Sequence, residues 1–158
     1  MSSSQYHIRN VSASDRELWE PLWQGYLQFY ESSLADEVTD LLWQRMLDPA
    51  HEIQGRVAEN NDAILVGLVH FFPHAHTWYA SPVCYLNDLY VLPDIRGGGI
   101  GHKLIEAVVE EARQREWAEV YWHTQSHNTV ARGLYDKITG STDGFVNYTI
   151  DVKQHGAG

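Results

Sequence analysis

Apolar and polar positions along the chain fall into alternating strand-like and helix-like stretches. Tyr6-His7-Ile8-Arg9 alternates weakly and predicts a short first strand. Ser14 and Glu17 have capping-box spacing, so a helix should start there. Pro21 lacks a backbone donor and crowds the preceding turn, which is expected to kink or restart that helix. Across it Trp19, Trp23, Tyr26 and Tyr30 recur at helical spacing, and a second helix runs from about Asp36 to Leu47, stopping before Asp48-Pro49. Three strand patterns follow. Ile53 to Glu59 turns at Asn60-Asn61-Asp62 into Ala63 to Phe72, and Cys84 to Leu92 ends where Pro93 keeps Leu92 extended.

From Gly99 the period changes to that of a helix. Ile100, Leu104, Ile105, Val108, Val109 and Ala112 share one face, with Glu106, Glu110, Glu111 and Arg113 opposite. Val120 to Thr124 reads as a strand. Asn128 is a good N-cap for a helix with Ala131, Leu134, Tyr135 and Ile138 on its inner face, and Phe145 to Val152 alternates again as a closing strand. The order β-α-α-β-β-β-α-β-α-β implies an α/β (α+β) fold, a mixed central sheet of about six to seven strands with helices on both faces, in one domain over residues 1–158.

Composition narrows the class. A chain of 158 residues, 44% hydrophobic and 12% aromatic, can bury a sizeable core, so disorder is excluded. The lone Cys84 rules out an internal disulfide and points to a reducing, cytoplasmic setting. The first residues, Met1 to Gln5, lack an apolar signal-peptide core, and the longest apolar run, Ala63 to Val69, is too short to span a bilayer. A formal net charge of -10, without any run of Lys or Arg, argues against nucleic acid as partner and favours cationic molecules by steering.

The stretch with most chemistry is Asp88 to Gly101, where a buried strand enters a glycine-rich turn that opens an amphipathic helix. The first N–H groups of a helix lack internal partners and carry partial positive charge. Glycines let a pyrophosphate approach those donors, and Arg96 offers a bidentate clamp. Neither G-x-G-x-x-G nor a Walker loop fits: the required third glycine is Leu104 or His102, and His102-Lys103 stands where Gly-Lys is needed. A Rossmann dehydrogenase and a P-loop NTPase are therefore excluded.

R-x-x-G-x-G does fit, as Arg96-Gly97-Gly98-Gly99-Ile100-Gly101. With the strand before it and Asn128-Thr129-Val130-Ala131-Arg132-Gly133-Leu134-Tyr135 after it, the chain resembles the GNAT family of acetyl-CoA-dependent N-acetyltransferases. Tyr85 to Val91 and the N-x-x-A-x-x-L-Y segment look most like the branch acting on polyamines and related amines, which includes histone-acetylating members. The resemblance implies direct attack of an amine on the thioester, so Cys84 has no nucleophilic part and is expected to be a small buried hydrophobe. It further implies that Arg96, Gly97, Gly98, Gly99, Ile100, Gly101 and His102 cradle the pyrophosphate of acetyl-CoA. Main-chain groups of Leu89, Tyr90 and Val91 would pair with the pantetheine arm, one N–H polarising the thioester carbonyl. Asn128 would hold the pantetheine amide beside Ala131, and Tyr135 would protonate the departing thiolate.

An alkyl ammonium must lose its proton before attack, and a lysine-like amine resists this by about 4–5 kcal/mol at pH 7. In the polyamine branch a glutamate stands where this chain has Asn87, which cannot accept a proton. Asp88 is adjacent, but strand alternation turns it away from Asn87 unless a bulge re-aims it. His123 and His127 are alternatives, and deprotonation relayed by water is the expected route. Trp23, Tyr26 and Tyr30 are candidates for an ammonium-binding wall, with Glu31 holding a distal charge; Trp19 is expected in the core. His70, His74 and His76 lack the spacing and partners of a metal site, so no metal is expected. The expectation is transfer of acetyl from acetyl-CoA to a primary amine of a small molecule, by a cytoplasmic homodimer. A protein lysine or N-terminus, or a silent acyl-CoA-binding module, are the competing readings.

Overall fold

The computed structural model describes residues 5–154; Met1 to Ser4, read above as lacking an apolar core, lie outside them. The larger of two compact units ends at His123 and the smaller begins at Thr124. In the larger unit β1 (Tyr6–Asn10), α1 (Arg16–Phe29), α2 (Asp36–Leu47), β2 (Gln54–Asn60), β3 (Leu65–His74), β4 (Val83–Val91), α3 (Ile100–Gln114) and β5 (Val120–Tyr121) follow in order. They build a mixed five-stranded sheet of order β1-β2-β3-β4-β5, antiparallel except for the parallel pair β4–β5. The smaller unit contains α4 (Thr129–Thr139).

β3 is buried from Leu65 to Phe71, as its nearly unbroken apolar sequence requires of a strand covered on both faces. On one face Trp19, Leu22, Trp23 and Leu27 of α1 and Trp43 of α2 close over Val57, Leu65 and Leu68. On the other lies α3, whose Ile100, Leu104, Ile105, Val108 and Ala112 are buried. Gly67 sits beneath α3, where an added Cβ would lie 3.1 Å from a Leu104 methyl and from the Tyr90 carbonyl. Arg56 joins Glu111 at 3.1 Å on the same side. Among the described residues no helix is long and apolar enough to cross a membrane.

Three expectations are corrected. The capping pair is Ser12 and Asp15, not Ser14 and Glu17: the Ser12 N–H donates to the Asp15 carboxylate, which Arg9 also grips at 2.8 and 2.9 Å. α1 then runs through Pro21 without ending, its Trp and Leu side chains anchored in the core. The closing strand is absent, so the sheet has five strands rather than six or seven. Phe145, Val146, Tyr148, Ile150 and Val152 are exposed and join no ladder among the described residues. Alternation names the face a strand would bury but not the edge that would receive it.

Candidate active site

β4 carries the site. Gly67, Leu68 and Val69 of β3 lie opposite Val91, Tyr90 and Leu89. The next pair in that register is hydrogen-bonded, because the Leu92 N–H donates to the Val66 carbonyl at 2.9 Å. Bonded and non-bonded pairs alternate along an antiparallel ladder. The main chain of Tyr90 therefore bonds to β3, while Leu89 and Val91 turn their N–H and C=O groups to the opposite edge. There β5 pairs only with Cys84 and Tyr85, so the edge beyond them has no strand beside it among the described residues. An extended ligand chain fits this edge as a sheet partner, with Leu89 and Val91 offering main-chain groups and Tyr90 only its side chain.

The strand leads through a short 3₁₀ turn, Pro93–Ile95, into the glycines. Gly97 and Gly99 have φ of 91° and 85°, a left-handed backbone that disfavours any side chain. A Cβ at either would meet nothing within 4 Å, so the space over the turn is open. α3 starts at Ile100 with neither a side-chain cap nor an acidic residue in its first turn. The N–H groups of Ile100, Gly101 and His102 thus keep the donor character of a helix start, suited to an anion. Arg96, expected above to clamp the pyrophosphate, has one of its donors held by the strand. Its Nε donates to the Val91 carbonyl at 2.9 Å, and its guanidinium lies 5.6 Å from the Phe29 ring and 5.4 Å from that of Tyr90. The exposed His102 side chain bonds Glu106 one turn on. Gly25 of α1 makes room for Tyr90, whose hydroxyl would lie 2.6 Å from an added Cβ.

Toward the other end of β4 the ladder slips. Pairing passes from His70–Asp88 to Phe71–Leu86, leaving Asn87 without an opposite residue. This bulge is the condition under which Asp88 could be re-aimed. His70 and Phe71 lie on opposite faces of β3, so Asp88 and Leu86 now do too. Asp88, 9% exposed, joins His70 on the face that carries α1. One carboxylate oxygen accepts from His70 Nδ1 at 2.9 Å, the other from the exposed Asn87 amide at 3.3 Å. Burial raises the Tyr26, Tyr30 and Tyr85 phenols above their ordinary values, and in each the Asp88 charge adds to it. A buried carboxylate with phenols around it can receive an ammonium group and its proton.

Trp23 is corrected from wall to core: it is 5% exposed, stacks on Trp19 and Tyr26, and donates its N–H to Thr39 at 3.2 Å. Tyr26 and Tyr30 continue this aromatic row and face Asp88. Glu31 is exposed just past α1, with φ of 54°. His123 is exposed, its Nδ1 3.2 Å from the Tyr85 hydroxyl. His74 bonds Tyr121 at 2.7 Å, and His76 accepts from the Trp78 N–H. Cys84 is wholly buried, which pushes its thiol up to about 12. In the smaller unit Asn128 caps α4, its side-chain oxygen accepting from the Ala131 N–H at 3.3 Å. Tyr135 is half-buried on α4.

His70 is the functional candidate that sequence reasoning missed. It is 2% exposed and accepts from Trp19 Nε1 at 3.2 Å. Its signal was a single polar residue inside an otherwise apolar strand core.

Comparison with known proteins agrees with this geometry. The profile of the acetyltransferase (GNAT) family matches residues 17–140. The chain is 34% identical over 146 residues to D-amino-acid N-acetyltransferase HPA3 of Saccharomyces cerevisiae, covering 90% of this chain and 89% of that one. It is 28% identical to aminoglycoside N(6')-acetyltransferase type 1 of Klebsiella aerogenes, covering 81% of this chain and 84% of that one. Among solved structures, AAC(6')-Iy in complex with a CoA-S-monomethyl-acetylneamine bisubstrate analogue superposes with a TM-score of 0.77 at 19% identity, covering 92% of this chain and 96% of that one.

Proposed function

Because the chain belongs to the acetyltransferase (GNAT) family and is an acetyl-CoA-dependent N-acetyltransferase, we propose that its acceptor is a small primary amine received at Asp88. The observation that carries this reading is the bulge at Asn87, which turns the Asp88 carboxylate among three phenols. Acetyl-CoA would lie along the free edge of β4 with its pyrophosphate at the start of α3, and an N–H of Leu89 or Val91 would polarise the thioester carbonyl. The amine lone pair attacks the carbonyl carbon, the N–C bond forms and the C–S bond breaks. Before this attack the bound ammonium gives one proton to Asp88, which passes it to solvent, and a second proton leaves nitrogen as the amide forms. The thiolate takes a proton, the role that the family resemblance gives Tyr135.

Asp88 thereby takes the place of the expected water relay as proton acceptor. Amines of lower basicity suit a carboxylate best, because a lysine-like amine gives up its proton at pH 7 only at about 4–5 kcal/mol. The relatives named for D-amino acids and aminoglycosides act on small amines and support the class. The cytoplasmic homodimer expected from the sequence belongs to the same reading, with sedimentation equilibrium as the check on the dimer.

The test is CoA release over amino acids of both hands, polyamines, aminoglycosides and lysine peptides. Turnover on at least one small amine, with kcat/KM above that of every peptide, is expected. Preference for the peptides would overturn the small-molecule reading.

A further inference from the structure

Asp88 does not stand alone in the core. Its cross-strand neighbour His70 donates to it at Nδ1, and Trp19 of α1 donates to His70 at Nε2. An indole N–H can only donate, so Nε2 must be the acceptor nitrogen. The remaining proton of a neutral imidazole then sits on Nδ1 and points at the Asp88 carboxylate. Adding a second proton at Nε2 would set it against the Trp19 N–H, so this histidine is built to donate and not to carry protons.

We propose that His70 is a positioning residue for acetyl transfer: locked by Trp19 in its Nδ1–H form, it holds the Asp88 carboxylate ionised and turned toward the acceptor amine. This rests on the reading of Asp88 given above. The titratable groups around the pair are Tyr26 from α1, Tyr30 just past its end and Tyr85 from β4 itself. The rings of Trp19 and Trp23, 5.9 and 5.2 Å from the imidazole, cover His70 and do not titrate. A donor to the ionised form favours that form. Its loss therefore moves the acidic limb of the kcat/KM profile to higher pH.

His70→Asn keeps an N–H near the Nδ1 position, whereas His70→Gln places its amide toward Trp19 and leaves Asp88 without that donor. The experiment is the pH profile of kcat/KM for both variants and for Asp88→Asn, with ¹⁵N NMR of the wild-type imidazole. His70→Gln should move the limb up, with about a ten-fold loss of kcat/KM on its acid side. His70→Asn should leave the limb in place. The wild-type spectrum should show a neutral Nδ1–H tautomer under assay conditions, a readout independent of any variant's folding. An Nε2–H tautomer, an imidazolium, or equal limb shifts in both variants would overturn the proposal. Should Asp88→Asn abolish turnover while the His70→Gln limb stays fixed, only the part given to His70 falls. Should Asp88→Asn keep full activity, the reading of Asp88 falls and takes this one with it.

Discussion

In the proposed reading the two ends of β4 serve the two substrates by opposite means. Toward its C-terminal end the groups offered to acetyl-CoA belong to the main chain: the edge at Leu89 and Val91, the glycine turn, and the uncapped start of α3. Around Asn87 and Asp88 the groups offered to the amine are side chains brought from α1, β3 and β4. Main-chain groups tolerate most substitutions that keep the backbone path. A side-chain receptor depends on every member. One strand can therefore keep a shared donor site while its acceptor site diverges.

Substitutions at the two ends should separate the two functions. The largest effect is expected from Asp88→Asn, which should lower kcat/KM for the amine by about 10²–10⁴-fold while leaving the acetyl-CoA dissociation constant unchanged by calorimetry. A parallel loss of acetyl-CoA binding would erase the distinction between the ends. Gly99→Val forces a branched side chain into the left-handed region at about 1–2 kcal/mol. It should raise the KM for acetyl-CoA about ten-fold, with kcat restored at saturation. Gly25→Ala pushes on the Tyr90 hydroxyl, which links the ends through Arg96. We expect a loss of about 1–3 kcal/mol by denaturant melting, with both KM values rising.

The smallest effect is expected at the closed end of the same strand. Burial holds the Cys84 thiol up to about 12, so its thiolate fraction is negligible at pH 8 and grows only as pH approaches that value. Thiol reagents at pH 8 should leave the native enzyme active, and Cys84→Ala should keep kcat. Inactivation by such a reagent, with mass spectrometry placing it on Cys84, would contradict this.

The same contrast explains what the sequence disclosed. The glycine turn and α3 were legible because local spacing dictates them: a breaker after a strand, then apolar residues at helical period. α2 was legible from Asp36 to Leu47 for the same reason. The bulge was not, since Asn87 is one residue too many only when counted against β3. Asp88 read as facing away because alternation assumes an unbroken ladder. His70 gained its meaning only from Trp19, 51 positions earlier. Trp23 and Tyr26 share one helical row, yet the row runs from core to pocket, and periodicity cannot say where the boundary falls. Arg96 has the composition of a phosphate clamp, but the carbonyl of Val91 and two rings hold it.

A crystal structure with a bisubstrate analogue, CoA joined through its acetyl carbon to the best amine of the screen, tests the assignment of the two ends in one experiment. The account predicts the pantetheine arm along Leu89 and Val91 and the amine nitrogen within hydrogen-bond reach of the Asp88 carboxylate, with His70 still donating to it. An amine nitrogen seated away from Asp88, with that carboxylate bonded to protein groups alone, would contradict it.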